Sequence, residues 1–279
     1  MNYVRASVFG LALTTFALGG CKKEADTELT SAEAREALTE SSASSQASEL
    51  TSTSVELNTN FTIGGAVEKA ADELKTFIGT QLPCADVTLV GSKLTVKYGV
   101  KPGNCEYKGH HFSGETTVTV TKNDTGDVIV DHTWNNLSNG LVKVNGTAHV
   151  TWSTANKSRR VEHELTWTRV SDGRTGKGTG DRTQTLLTGG LAEGIQIDGT
   201  RSWEGQSGKW DLSIKAVEVR WADPVPQSGS YVLHTPKDKT LTMSFSRVDE
   251  DTIKVTITNG TKSFSFNVNK IIGDIDDAS

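Results

Sequence analysis

Residues 148–169, AHVTWSTANKSRRVEHELTWTR, decide the fold class of this chain. Apolar side chains stand at every second position in residues 148–152 and again in residues 161–167, with Thr, Ser or charged residues between them. Successive side chains of a β-strand point to opposite faces, so a period of two places all the apolar groups on one face. The stretch therefore predicts two antiparallel strands, each with one buried and one solvated face.

The same alternation continues on both sides of this pair of strands. It recurs in residues 94–98, 116–120, 127–130, 212–214, 241–245, 253–257 and 264–266. Turn signals such as Asn259-Gly260 separate the alternating stretches. The sequence thus predicts a mainly β fold with strands over residues 86–269. We expect a long antiparallel meander that forms a curved sheet or an incomplete barrel.

Two local features suggest irregularities in this sheet. The apolar phase changes between Ala216 and Val217, which predicts a β-bulge. Val144-Asn-Gly-Thr147 and Ile197-Asp-Gly-Thr200 form an imperfect internal repeat, and Ile257-Thr-Asn-Gly-Thr261 contains the tripeptide once more. We interpret the meander as imperfectly repeated.

The first twenty residues have the features of a secretory signal peptide. Residues 1–5 are short and positively charged, and residues 6–18 carry no charge. This apolar stretch is too short to span a bilayer as a permanent helix, and it has the length of a signal-peptide core. We therefore expect residues 1–20 to direct export and to be removed.

The end of this segment determines how the exported chain is attached. Leu18-Gly-Gly-Cys21 resembles the bacterial lipobox, in which a cysteine after a small residue is acylated. The alternative is an ordinary secretory signal followed by a chance cysteine. The resemblance implies several acyl chains on Cys21, enough for stable membrane anchoring. Lys22 after the cysteine matches the outer-membrane sorting pattern of Gram-negative bacteria.

The two remaining cysteines, Cys84 and Cys105, form an even pair in an exported protein. A disulfide is the expected state outside the cytoplasm. Closing a loop of this size stabilises a fold by about 3 kcal/mol on the chain-entropy model. The spacing is not C-x-x-C and no other cysteine is left, so a structural disulfide is favoured over a metal or redox pair.

The charge balance limits the partners. The net charge of −5 is spread over both signs without a basic run, which argues against nucleic acid as a partner. The same anionic balance argues against a surface that lies on acidic lipid headgroups.

The segment after Cys21 has the composition of a tether. Residues 21–59 are rich in Ser, Thr, Glu and Ala, and such a composition buries too little apolar surface to offset the ordering entropy. Residues 31–40 could form a helical turn or two. We expect a disordered tether that holds the rest of the chain roughly 30–35 Å from the membrane. The single β-rich domain then covers residues 60–279, with one amphipathic helix over residues 65–79.

The order of motifs in the folded part resembles a known group of proteins. Residues 84–98 carry a cysteine and alternating V-x-L and L-x-V-x-Y, and Cys105 follows Gly99. A Gly-rich turn with V-x-V comes next in residues 109–120, before the N/D-G-T motifs. This order is similar to that of Thr-rich all-β bacterial envelope lipoproteins, whose function is uncharacterised, over residues 84–268. The resemblance implies the fold and no active site.

The tryptophans are the first candidate ligand-binding residues. All six fall on the apolar face of their strands: Trp134, Trp152, Trp167, Trp203, Trp210 and Trp221. This phase favours core packing over exposure. If the sheet is curved and partly open, the same face could instead line a groove for an acyl chain.

Four polar residues share the phase of the tryptophans: His132, His163, Arg169 and Arg201. A polar group on an apolar face lies at its rim or contacts a ligand, because an unpaired buried charge is costly. Arg169 and Arg201 are near predicted strand ends, which favours the rim. As candidate groove-lining residues we take these four together with Trp134, Trp152, Trp167, Trp203 and Trp221.

Neither a catalytic set nor a metal site is predicted. Glu162 and Glu164 point away from His163 in a strand, and His110 and His111 likewise diverge. No H-E-x-x-H, G-x-S-x-G or C-x-x-C motif occurs. Residues 176–180, GKGTG, lack the spacing of a phosphate-binding loop and are interpreted as a flexible loop. We expect no cofactor.

These observations predict a non-enzymatic binding or structural protein of the bacterial cell envelope. We expect it to be lipid-anchored in the outer membrane, either periplasmic or surface-exposed. Its partners would be the membrane, through the acyl chains, and a lipid, a glycan or an envelope protein. The alternative is a lipid or glycan carrier that uses the tryptophan-bearing concave face. A third hypothesis is a hydrolase with separated Asp, Glu and His residues.

Overall fold

A computed structural model describes residues 28–58, 67–153, 156–189, 193–220, 223–249, 252–260, 262–269 and 275–277 of the chain. The predicted signal peptide over residues 1–20 and the predicted acylation site at Cys21 lie outside these ranges. Within them, no helix is both long enough and apolar enough to cross a membrane.

Two helices and sixteen strands make up the described part. The helices are α1, Ser31–Leu57, and α2, Val67–Gln81. The first eight strands are β1 Asp86–Val90, β2 Lys93–Tyr98, β3 Glu106–Tyr107, β4 His110–His111, β5 Ser113–Lys122, β6 Val128–Ser138, β7 Val142–Ser153 and β8 Ser158–Arg169. The other eight are β9 Thr175–Leu186, β10 Gly194–Gly205, β11 Gly208–Arg220, β12 Asp223–His234, β13 Thr240–Arg247, β14 Thr252–Asn259, β15 Lys262–Asn269 and β16 Ile275–Asp277.

Fourteen of the strands form one antiparallel sheet. Their order is β1, β2, and then β5 to β16 in sequence, so each strand pairs with its neighbours along the chain, while β3 and β4 form a separate hairpin. Within the described ranges β1 and β16 are the edge strands, and the sheet is not closed. The predicted antiparallel meander is confirmed, with β1 beginning at residue 86 and β15 ending at residue 269.

Helix α1 is where the structure differs most from the sequence prediction. The tether predicted over residues 21–59 is wrong for Ser31–Leu57, because this segment is a helix. From Glu33 to Asn58 none of its residues is exposed. The prediction of a single N-terminal helix is therefore also wrong. The sheet curls around α1, which contacts residues from β4, β6, β8, β9, β10 and β15.

The helix forms because its local sequence is favourable and its polar groups find partners. A capping box begins it: the Glu33 amide donates to the Thr30 hydroxyl at 3.2 Å, and the Thr30 amide donates to the Glu33 carboxylate at 3.1 Å. No Gly or Pro interrupts the segment. Small side chains, among them the fully buried Ala34, Ala37 and Ala43, allow the sheet to come close on several sides.

Helix α2 and the disulfide lie at the β1 edge of the sheet. The amphipathic helix predicted over residues 65–79 is present as Val67–Gln81, with Leu74 and Ile78 fully buried. It packs mainly against β1. The predicted Cys84–Cys105 disulfide is confirmed, and it joins the end of this region to the β3–β4 hairpin.

Two β-bulges give the sheet its curvature. Ala216 in β11 has a φ of 47°, and the register between β11 and β12 shifts after Lys215, so the predicted bulge is confirmed. Asn136 in β6, with a φ of 51°, lies at a second shift. A bulge bends its strand and increases the local twist. The two bulges lie on opposite sides of the central strands β8 and β9, and both bend the sheet around α1.

The bulges explain the N/D-G-T repeat of the sequence. The Asn136 amide donates to the Asn145 side chain at 2.8 Å, and the Ala216 amide donates to the Asp198 carboxylate at 2.7 Å. In both cases a glycine follows the residue that accepts the hydrogen bond, with φ of 145° at Gly146 and 143° at Gly199. The third copy of the tripeptide has another role, because Asn259 ends β14 and Gly260, with a φ of 59°, lies in the turn that follows it.

Three glycines of β9 allow the inner surface of the sheet to pack tightly. The loop predicted for residues 176–180 is wrong, because GKGTG lies inside β9. Gly176, Gly178 and Gly180 face α1, and a Cβ atom at position 176 would overlap the indole of Trp167. The strand was not predicted because glycine stands at the positions where an alternating strand would have apolar side chains.

Replacing Gly178 tests this packing. We expect Gly178→Ala to lower the free energy of unfolding by about 2 kcal/mol, because the new Cβ would overlap the Ser202 carbonyl and lie 2.7 Å from the Trp203 Cβ. Chemical denaturation measures the change. The control is Gly79→Ala in α2, where nothing lies within 4 Å and the φ is ordinary, so a gain of about 0.5–1 kcal/mol is expected. Equal effects at the two positions would contradict the packing argument.

Candidate functional site

The candidate site is the concave face, which we define as the side of the sheet that packs against α1. Four tryptophans lie buried on it: Trp134, Trp167, Trp203 and Trp210. Trp152 is partly buried and packs against the same core. Trp221 lies outside the described residues. The predicted groove residues that are described are therefore brought to one face, in contact with the same core.

Helix α1 occupies the space where a groove would lie. The indole of Trp134 donates to the Ser54 hydroxyl at 2.9 Å, and that of Trp203 donates to the Glu40 carboxylate at 3.4 Å. These two indole groups bind the helix, whereas the buried Nε1 groups of Trp152 and Trp210 have no partner in the described residues. The concave face is thus filled by a segment of the chain itself.

The two histidines of the concave face are buried without charge partners. His132 stacks on Trp134 with ring centroids 5.7 Å apart, and neither of its nitrogens has a hydrogen-bond partner in the described part of the chain. Burial, with a smaller effect of the Arg159 charge, lowers the pKa of His132 to about 3. Burial and the charges of Arg182 and Arg201 lower that of His163 to about 2. Both rings are neutral at pH 7.

The two arginines predicted at the rim differ in position. Arg169 is also buried, at 8% exposed, but it is the last residue of β8 and donates from Nε to the Asp172 carboxylate at 2.9 Å. Arg201 is only 5% exposed in the interior of β10, so the rim prediction is wrong for it. Its guanidinium points to α1, a segment that the sequence prediction left out of the fold.

Three further arginines bind α1 and were missed in the sequence. Arg159 pairs with Glu56 at 3.4 Å, Arg174 pairs with Glu36 at 3.0 Å, and Arg182 donates to the Ser48 hydroxyl. Arg159 and Arg182 could have been found from their phase. Arg159 shares a strand face with Val161, and Arg182 lies directly opposite Val161 in the register of β8 and β9.

The convex face carries a shallow depression over β7 to β11, with a volume of about 540 Å³. Its charged lining is mainly acidic, with Glu162, Glu164, Asp181 and Asp211. The divergence predicted for Glu162-His163-Glu164 is observed, because both carboxylates are on this face while His163 is buried on the other. Within the described ranges no three His, Cys, Asp or Glu side chains are placed to hold a metal ion.

The comparisons with known proteins leave the family open. No family model, no curated protein and no solved structure matches the chain. The functional argument therefore depends on the geometry of the chain itself. On the concave face that geometry offers guanidinium, indole and hydroxyl donors, which suit the binding of acceptor groups such as carboxylates and phosphates.

Proposed function

We propose that this chain is a lipid-anchored protein of the bacterial cell envelope with a non-enzymatic binding or structural role. The observation that carries the proposal is the Leu18-Gly-Gly-Cys21 motif after a charged and then apolar start. Residues 1–20 would direct export, and acyl chains on Cys21 would hold the protein in the outer membrane. Membership in the group of Thr-rich all-β envelope lipoproteins is part of the same proposal.

The position of α1 changes how the anchor is connected to the fold. Ser31 follows Cys21 by ten residues, and a random-coil link of that length would span about 16–19 Å on average, about half the span expected for the longer tether. The anchor would thus lead almost directly into the helix at the centre of the sheet. This arrangement supports a protein that holds the sheet close to the membrane and presents its convex face and loops to a partner.

The buried histidines support a non-enzymatic role over the hydrolase hypothesis. A general base must reach the proton that it abstracts, directly or through one water. His132 is 1% exposed and His163 is 9% exposed, and both lie beneath α1. They are therefore poor candidates for that role.

Replacing Cys21 tests the proposal. In a Gram-negative host we expect the wild-type chain to incorporate labelled palmitate and to sediment with outer membranes, since several acyl chains anchor stably. The Cys21→Ser variant should lose both properties and remain folded, because residue 21 precedes the first described contact of α1. The control is Cys84→Ser/Cys105→Ser, which should keep the label. An unlabelled, soluble wild-type chain would refute the anchor.

A further inference from the structure

Three side chains of the concave face meet around a glycine in the middle of the sheet. His163 in β8 lies opposite Gly180 in β9, and Gly180 lies opposite Arg201 in β10. Because position 180 has no side chain, the His163 ring and the Arg201 stem close over it, and a Cβ there would overlap His163. Arg182 is two residues further along β9 on the same face.

The two arginines of this cluster are buried without a counter-charge. Arg182 is 4% exposed and Arg201 is 5% exposed. In the described ranges neither has a carboxylate within ion-pair distance, whereas Arg159, Arg169 and Arg174 each have at least one. A buried charge that lacks an opposite charge is strongly destabilising. Arg201 lies over the Tyr231 ring at 5.9 Å, but no carboxylate in the described ranges offsets either positive charge.

Helix α1 places neutral groups against these charges. Arg182 donates to the Ser48 hydroxyl. Arg201 donates to the Ser44 carbonyl at 3.0 Å and to the Ser45 hydroxyl at 3.1 Å. Carboxylates occur elsewhere on α1, but they are engaged at other places. Glu40 binds Arg174, Glu49 binds His110, and Glu56 binds Arg159 and Lys108.

The cluster also retains unused hydrogen-bond donors. The Nε groups of Arg182 and Arg201 are buried donors that have no partner in the described part of the chain. Nδ1 of the neutral His163 also lacks a partner there, and it donates or accepts according to the tautomer. Each unmade hydrogen bond of a buried charged group is costly. Burial, followed by the charges of Arg201 and Arg159, lowers the pKa of Arg182 to about 9, which leaves it charged at pH 7. Positive charge and free donors thus occur at the same place.

We propose that Arg182 and Arg201 bind an oxyanion, a phosphate or a carboxylate, between β9, β10 and the Ser44–Ser48 segment of α1. Guanidinium groups suit this role because they present several N–H donors in a planar fork that matches carboxylate and phosphate oxygens. The anion would supply the missing negative charge and accept from the two Nε groups. The inference is independent of the anchor proposed above, because none of these residues takes part in acylation.

The oxyanion could come from two sources with the same chemistry. It could be a free anion such as inorganic phosphate, or the phosphate of a lipid headgroup. Inorganic phosphate and dodecyl phosphate, a single-chain phosphate amphiphile, are therefore used as separate probes. The first reports the anion site alone, and the second reports the site together with its apolar surroundings.

The experiment measures the thermal unfolding midpoint of the mature protein, after phosphate-free purification, at constant ionic strength. We expect a saturable rise with phosphate that an equal charge of chloride does not reproduce, because a ligand that binds only the native state stabilises it. In Arg182→Met we expect the affinity for phosphate to fall about tenfold to a hundredfold, the value of one or two hydrogen bonds to a charged group. Calorimetric titration checks both affinities.

The control variant is Arg160→Met, which changes an exposed arginine on the convex face of β8 and should keep the wild-type affinity. If Arg182→Met does not fold, Arg201→Met gives the same test. The absence of a saturable phosphate effect in the wild-type protein would overturn the proposal, and so would full wild-type affinity in the folded Arg182 variant. Binding of dodecyl phosphate that is tighter than that of phosphate and lost in Arg182→Met would identify a lipid headgroup. Binding of inorganic phosphate alone would identify a free anion.

Discussion

Lowering the pH from 7 to 5 should reduce the free energy of unfolding by about 4 kcal/mol, because His132 and His163 are folded as neutral rings. Their folded-state pKa values, about 3 and about 2, lie far below the unfolded value of about 6.5. At pH 5 the unfolded chain therefore binds about two more protons than the folded chain. Each imidazole accounts for about 2 kcal/mol of the loss.

The sign and the pH window follow from these values. A lowered histidine pKa contributes stability that is fully present above pH 6.5 and is lost as the pH falls toward the folded value. Protonation of the carboxylates affects the free energy of unfolding only at lower pH. The hydrogen bond from Arg169 lowers the pKa of Asp172 to about 2, so its stabilising effect is lost only below its unfolded value of 3.8. Between pH 7 and pH 5 the histidines therefore dominate.

Urea denaturation at pH 7, 6 and 5 measures this loss. His132→Phe keeps a flat ring against Trp134 and should halve the pH-dependent loss, whatever its effect on absolute stability. His111→Gln changes an exposed ring and should leave the loss intact. A wild-type stability that is constant from pH 7 to pH 5 would show that the two rings are accessible to protons in the folded state.

The second large effect is expected at the buried ion pair between α1 and β8. Glu56→Gln should lower the free energy of unfolding by about 3–5 kcal/mol, because it leaves Arg159 as a buried cation without a carboxylate. The Glu56 and Arg159 side chains are 9% and 4% exposed. The loss should be accompanied by weaker protection of α1 in hydrogen exchange, since Glu56 lies in its last turn.

An exposed pair on the same strand provides the control. Glu162→Gln removes one of the two carboxylates that pair with Arg160, at 3.0 Å, and leaves Asp181; both side chains of the lost pair are about half exposed, and the change should cost less than about 1 kcal/mol. Replacing both buried partners, in Glu56→Leu/Arg159→Met, should recover most of the stability, because no uncompensated charge then remains. Similar losses for Glu56→Gln and Glu162→Gln would mean that the α1 contact does not exclude solvent.

The sequence was sufficient for the sheet because its information is local. Alternation in residues 148–169, turn residues such as Asn259-Gly260, and the change of phase at Ala216 each predict a feature from neighbouring residues. The meander order then follows, since adjacent antiparallel strands usually pair. A curved sheet was expected, but the hydrogen bonds that hold its bulges, such as the one from Ala216 to Asp198, could not be predicted because they join residues of different strands.

The sequence was insufficient for α1 and the concave face. A Ser/Ala/Thr/Glu helix is stable only in a polar environment that other parts of the chain provide, as Arg174 does for Glu36. A prediction from composition alone does not take that environment into account. The one local signal for α1 was the Thr30-x-x-Glu33 spacing, which is typical of a capping box at the start of a helix. Without α1, the buried Arg201 was assigned to a rim.

The contacts that hold α1 also constrain the order in which the chain can fold. Ser54 and Trp134 are 80 residues apart, while Glu28 and Lys239 are 211 residues apart. Each doubling of a loop adds only about 0.6 kcal/mol of closure entropy, so such separations are compatible with a stable fold. Long-range contacts do, however, slow folding. Hairpins of the meander can form as neighbouring strands meet, whereas α1, the first element in the chain, gains its full environment only after β15 is in place.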